Sequence, residues 1–409
     1  MAAGGREGAA RPERAWDPAG DGAPAFTPMN IDPAAEVVRM LPRAPGLLER
    51  LAVRFLRRRA ARTAPPPADP VHILTRSERM DVRRIVESTV FRAFGAGVTS
   101  ALVVAGTKIY VEYQDLPSPL LYVVCAGLVT AVAELLFLHR HHLLAMLSLM
   151  RATGARFDGE GPEPDDSLAH AMARAALDAP DPVKIVEGID PWRETSLARL
   201  YLFVVAYKLK RFLSKFAAEF VVKQAAPNAV IRVFAPAIAL PVTGAWNAFV
   251  SWKILREARI RVVGPSAVEE VFSRVLPSPQ VLSDACRVCL FRAAGMGIVL
   301  KRSVHPNLLA LLEGLVRRLG PVPAAYLDDR ARFLEGLARL SRGEQVDVLQ
   351  VLQVAMVIDG RLLCRERELV RQARVMCGLP EESSSLERLL HRFSRGDMID
   401  ADLLSDLAR

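Results

Sequence analysis

Two long apolar runs joined by a short polar turn dominate the hydrophobicity pattern. They are FGAGVTSALVVAGTKIYVEY (Phe94–Tyr113) and LPSPLLYVVCAGLVTAVAELLFL (Leu116–Leu138). Each approaches the roughly 20 residues needed to cross a hydrocarbon core. Neither carries the single apolar stripe of a helix lying on a soluble core. Gly95, Gly97, Ala101, Ala105, Gly127 and Ala131 are small enough for helices to approach closely. The pattern predicts a transmembrane hairpin over 91–142. A soluble helical hairpin is the other way to bury such runs. Lys108 and Glu134 fall near opposite ends of the antiparallel pair, so the expectation is that each snorkels to an interface and the two do not meet. Arg83, Arg84 and Arg92 precede the hairpin, HRHH (His139–His142) follows it, and its turn is the acidic EYQD. By the positive-inside rule both ends face the cytoplasm.

Two further segments combine apolar and basic positions at helical spacing. GLLERLAVRFLRRRAAR (Gly46–Arg62) sets Leu47, Leu48, Leu51, Val53, Phe55 and Leu56 against Arg50, Arg54, Arg57, Arg58 and Arg59. Such a helix either lies on an anionic membrane surface through Arg57, Arg58 and Arg59 or packs on its own domain. Leu200–Lys223 begins apolar and then spaces Lys208, Arg211 and Lys215 along one face, a pattern suited to an interface. VFAPAIALPVTGAWNAFVSW (Val233–Trp252) has no charge and is flanked by Arg232 and Lys253. Pro236 and Pro241 each remove a backbone donor, and a single crossing would leave a basic flank outside. The expected form is a broken segment that enters and leaves on one side or lies beneath neighbouring helices; a full crossing is the alternative.

The remaining pattern divides the chain. Residues 1–35 are rich in Ala, Gly and Pro and are expected to be disordered; they hold no apolar core of a signal peptide. Residues 36–90 form the basic amphipathic segment, 91–142 the hairpin, 143–197 an acidic connector with one short helix (LAHAMARAAL), and 198–265 a membrane-associated helical region. Residues 266–409 are a succession of amphipathic helices with Gly or Pro breaks, GMG (Gly295–Gly297) being one such break. The predicted fold class is all-α: a transmembrane helical hairpin, membrane-associated helices and a C-terminal helical bundle.

The formal charge of +9 favours anionic partners, and 6% aromatic content offers little for base stacking, so phospholipid is expected and nucleic acid is not. The cysteines are five in number, and Cys286 and Cys289 form a lone CxxC without the second pair a zinc site needs. A structural role is expected for them, with metal or redox use as the alternative.

Resemblances add to this reading. APAIALPVTGAWNAFVSWKILREARIRVVG is similar, over roughly 50 residues, to the closing portion of EcsC-type bacterial proteins. The order of an apolar helix (Val348, Leu349, Leu352, Ala355, Met356), Asp359-Gly360, Glu366 and a helix ending in CGL, followed by FSRGDMIDADLLSDL, resembles a TerB-like domain of tellurite-resistance proteins over some 130 residues. That resemblance implies a divalent cation near the acidic positions Asp347, Asp359 and Glu366. The local alternative is that Asp359 ends one helix and Glu366 opens the next. Asp347 and Asp359 stand about 18 Å apart if on one helix, so they need partners from elsewhere to share an ion.

The functional expectation is an adaptor or stress-response component on the bacterial cytoplasmic membrane, both termini cytoplasmic, whose C-terminal domain binds a protein partner or a divalent cation. The alternative is a membrane-lipid-acting enzyme, for which His139, His141 and His142 with Glu134 are the densest titratable cluster. Ser/His/Asp and HExxH patterns are absent from the sequence.

Overall fold

The computed structural model describes residues 47–61, 73–114, 118–154, 168–177, 186, 188–191, 229–276, 282–322, 327–381, 384–399 and 401–407, with side chains of α5 described from Leu240 onward. Most of these residues are helical, with no strand among them and one isolated bridge between Val186 and Ile189. The helices are α1 (Leu47–Ala60), α2 (Arg76–Tyr113), α3 (Pro119–Ala152), α4 (Leu168–Ala176), α5 (Ala229–Val275), α6 (Asp284–Lys301), α7 (Pro306–Leu319), α8 (Arg330–Ala338), α9 (Arg342–Val357), α10 (Cys364–Met376), α11 (Ser384–Arg395) and α12 (Ala401–Leu407). The N-terminal tail and the stretch holding Lys208, Arg211 and Lys215 lie outside the described residues.

Local chemistry sets the helix ends. Thr75 and Glu78 form a reciprocal capping box at the start of α2, the Thr75 amide reaching Glu78 Oε2 at 2.7 Å. Ser341 and Glu344 repeat it at α9. Ser283 and Asp329 cap α6 and α8 through their side-chain oxygens. Gly360 ends the α9 turn at φ +74°, the left-handed conformation expected of it.

Three helices run on past the apolar runs that define them in sequence. The lower half of α2 buries Val82 and Val86, and the lower part of α3 buries Met146, Leu149 and Met150. With Leu56 of α1, Met172 of α4 and Leu255, Ala258 and Val262 of α5 they make one core. α5 then continues into a second, larger core. There Val268, Val271 and Phe272 meet α6–α12, including Met296, Leu308, Phe333, Leu352 and Leu389. The boundaries expected at 90/91, 142/143 and 265/266 therefore fall inside α2, α3 and α5.

Two sequence expectations change. The stretch around Pro236 and Pro241 is not broken: α5 is one helix of 47 residues, about 70 Å by its rise. Each proline deprives only one carbonyl of its donor, and packing against α2 and α3 holds the helix together. GMG is likewise no break. α6 runs through it, and a Cβ on Gly295 would stand 2.5 Å from Leu327 O, so the glycine admits the loop before α8. The short helix of the connector, α4, is buried between neighbours, with Arg174 on Glu49 of α1 at 2.9 Å.

Candidate functional site

α2 and α3 are each long and apolar enough to cross a membrane. Their upper halves turn large apolar side chains outward. Leu102, Ile109, Leu120, Leu128, Val129, Val132 and Leu136 are exposed, Leu128 and Val129 by about two thirds (66% and 67%). Lys108 sits on α2 within this layer, 3.8 Å from Glu112 one turn further on. An aqueous domain rarely leaves so large a contiguous apolar surface open.

At the domain end the layer is bounded by charge. Arg92 of α2, Arg140 of α3 and Lys253 of α5 are exposed there. Their common level follows from the cross-links between the helices: His142 Nε2 lies 2.8 Å from Ser251 Oγ, and Gly97 of α2 faces Thr243, Gly244 and Asn247 of α5. α1 lies just below this belt, Ala52 and Val53 packing with Leu143 one turn past the belt on α3. Its buried side is thus the domain-packing one of the two alternatives. Its other side is exposed and carries Leu47, Leu51, Arg54, Arg57, Arg58 and Arg59, with Leu51, Arg54, Phe55, Arg58 and Arg59 lining a shallow cleft.

Glu134 does not remain alone at an interface. Its carboxylate accepts a hydrogen bond from the Asn247 side-chain amide of α5. His142 and Ser251 have the reach of a base and a nucleophile, but both are buried, and the bond ties α3 to α5. His141 stacks on Phe137, ring centroids 5.5 Å apart. The His/Glu cluster of the sequence is therefore spread over separate contacts, most of them to α5.

The three acidic residues named for a cation do not assemble. Asp359 and Glu366 converge, but on Lys301, whose ammonium stands 2.7 Å from Asp359 Oδ1 and 2.6 Å from Glu366 Oε1 and donates to Met356 O at 2.7 Å. The seat between the two carboxylates is filled by a side chain of the protein. Burial pushes the Glu366 carboxyl up, and Lys301 opposes that shift. Glu366 Oε2 also accepts the Leu363 amide at 2.6 Å, which opens α10 as the local alternative anticipated. Asp347 stands near the other end of α9, beside Glu344 and Cys286; burial pushes its carboxyl up to about 6, with Glu344 adding to the shift. Among the described residues no group of three His, Cys, Asp or Glu side chains could hold a metal ion. Lys301 was missed in the sequence because nothing in its spacing marks a lysine that turns inward.

Next to this cluster, α5 is fastened to the bundle. Asn307 Nδ2 donates to Ile260 O and Ile358 O, both at 2.8 Å, and Arg256 donates to Gly360 O at 2.7 Å. Glu257 meets His305 at 3.3 Å and Arg261 at 3.1 Å. Burial alone would raise the Glu257 carboxyl, but His305, Arg261 and Arg361 together bring it down to about 2. Cys286 and Cys289 are buried free thiols, each pushed up to about 12 chiefly by burial, so they sit in the core as protonated apolar groups.

The chain matches no protein-family model, no curated protein and no solved structure.

Proposed function

We propose that this protein is a membrane-anchored adaptor: the upper halves of α2 and α3 sit in a bilayer, and the helical domain is held against its cytoplasmic face to receive a protein partner. The observation that carries the reading is that outward apolar layer on helices that continue without interruption into a packed domain. The exposed belt of Arg92, Arg140 and Lys253 suits anionic headgroups, and so does the outer side of α1, where Arg57, Arg58 and Arg59 flank the exposed Leu47 and Leu51. The TerB-like pattern of α9 and α10 supports a binding role for the domain. Its bacterial, stress-response setting belongs to the same resemblance. A divalent cation has no part in this reading, because Lys301 already neutralises the two carboxylates that would meet it.

The test is alkaline carbonate extraction of membranes carrying the full chain, beside a Leu128→Arg/Val132→Arg variant. Each arginine at the centre of a membrane helix costs about 2.5–3.5 kcal/mol of insertion. The full chain is expected to resist extraction and the variant to be released. A full chain found in the soluble fraction overturns the proposal.

A further inference from the structure

α5 is the third member of the layer. Gly97 of α2 meets it so closely that a Cβ there would lie 2.7 Å from Thr243 O, and a Cβ on Gly244 would lie 2.8 Å from Val98. Contacts of this kind let membrane helices pack backbone to backbone. On the same level Asn247 donates to Glu134, and one turn lower Ser251 meets His142. These contacts use one face of α5. The opposite face carries Val242, Trp246, Phe249 and Trp252, all exposed, with neighbouring aromatic rings 6.1 and 6.3 Å apart. It lies beside the outward faces of α2 and α3 and extends the same apolar surface. Directly below it come Lys253, Arg256 and Arg259. Above Lys253 the helix has no charge until Arg232, and a run of about 20 residues equals the thickness of a hydrocarbon core.

We propose that α5 crosses the same bilayer as α2 and α3, with Val242, Trp246, Phe249 and Trp252 as its lipid-contacting face and its N-terminal end on the side of the α2–α3 turn. The inference rests on the membrane reading above. The domain end carries the larger share of positive charge, Lys253, Arg256, Arg259 and Arg261 against Lys223 and Arg232, as the orientation rule requires. Glu134 and Asn247 satisfy each other inside the layer, so neither polar group faces hydrocarbon alone. A topological consequence follows. With Asp190 on the domain side, its amide 3.3 Å from Asp328 Oδ2, a crossing α5 puts Ala229 on the opposite side of the bilayer.

The experiment is labelling of introduced cysteines by a membrane-impermeant maleimide in sealed vesicles of known orientation, the buried Cys286, Cys289 and Cys377 being left in place. The full chain carries Cys125→Ala and Cys364→Ser, and Tyr113→Cys, Ala229→Cys or Gly343→Cys is added one at a time. The expected result is that Tyr113→Cys and Ala229→Cys label from one side and Gly343→Cys from the other. Labelling of Ala229→Cys together with Gly343→Cys overturns the crossing of α5 and leaves the hairpin standing. Labelling of Tyr113→Cys together with Gly343→Cys overturns the membrane hairpin itself. In the full chain carrying Trp16→Phe and Trp192→Phe, lipids brominated along the acyl chain should quench the fluorescence of Trp246 and Trp252 by at least twofold. Absence of quenching rejects the lipid-contacting face.

Discussion

Arg79, near the start of α2, points its guanidinium at Glu270 of α5 across 3.1 Å, and both side chains are buried. The same guanidinium donates to Gly396 O and Asp397 O, at 2.9 and 3.0 Å, and Glu270 accepts the Ile399 amide at 3.3 Å. One ion pair thus joins the first apolar helix, the long helix α5 and the turn between α11 and α12. It makes α2, α5 and the C-terminal domain one mechanical unit.

Removing one partner of that pair leaves the other charged in a dry site. Glu270→Gln is expected to lower stability by about 3–5 kcal/mol, the usual cost of a broken buried pair. Arg79→Met/Glu270→Leu removes both charges and should recover much of that loss. Denaturant unfolding of the detergent-solubilised protein checks both. Equal destabilisation by the single and double variants would mean that losing the backbone bonds of Arg79 costs as much as removing its stranded charge recovers.

Lys301 gives a parallel case within the bundle. Lys301→Met leaves Asp359 and Glu366 facing each other without a cation, and a loss of about 3–5 kcal/mol at neutral pH is expected. The loss should shrink as pH falls, because two like charges in a buried site favour protonation of one of them. The sign is specific: the native variant binds a proton more tightly than its unfolded chain, so its stability rises towards acid relative to the parent protein. Parallel stability profiles between pH 5 and 8 would show that the lysine acts by packing alone.

These two junctions mark what can be read from the chain. Apolar periodicity identifies α1 and α9, Asp359-Gly360 marks a stop, and Glu366 marks the start of α10. Each signal is local, a matter of neighbours within one or two turns. The contacts that define the candidate site are not local. Arg79 and Glu270 are 191 positions apart, and Glu134 and Asn247 are 113 apart. Periodicity tells that a face is covered, but not by what. That is why Glu134 reads as a stranded charge, and why Asp359 and Glu366 look like cation ligands until Lys301 is placed between them. The prolines of α5 mislead for a related reason: their local penalty is real, but tertiary packing against α2 and α3 outweighs it.

Asp347 supplies a pH-dependence with the opposite origin from an ion pair. Its carboxyl is raised from 3.8 to about 6 by burial and by Glu344. Between those values the native state holds the proton more tightly than the unfolded chain, so the stability gained from it is present at low pH and lost as pH rises through about 6. At pH 7 the charged form is a standing cost. Asp347→Asn should therefore stabilise the protein at pH 7 by on the order of 1 kcal/mol, after allowance for its partial exposure. Below about pH 4 the two proteins should be alike, since both side chains are then neutral. Thermal unfolding at pH 4, 5.5 and 7 reads this directly. A variant less stable at pH 7 would show that the carboxylate has a favourable partner.

Gly95 and Gly97 are two residues apart on α2 and offer a matched pair for the α2–α5 contact. A Cβ on Gly97 would fall 2.7 Å from both Asn247 Nδ2 and Thr243 O, whereas a Cβ on Gly95 would meet nothing within 4 Å. Gly97→Leu must push the helices apart or displace Asn247 from Glu134, and overpacking of this kind costs about 1–3 kcal/mol. Gly95→Leu adds the same side chain on the open side and removes a glycine from a helix interior, which is neutral or favourable. Thermal unfolding in one detergent should therefore separate the two variants, with Gly97→Leu lower. If they unfold at the same temperature, α2 and α5 do not rely on close backbone approach at Gly97.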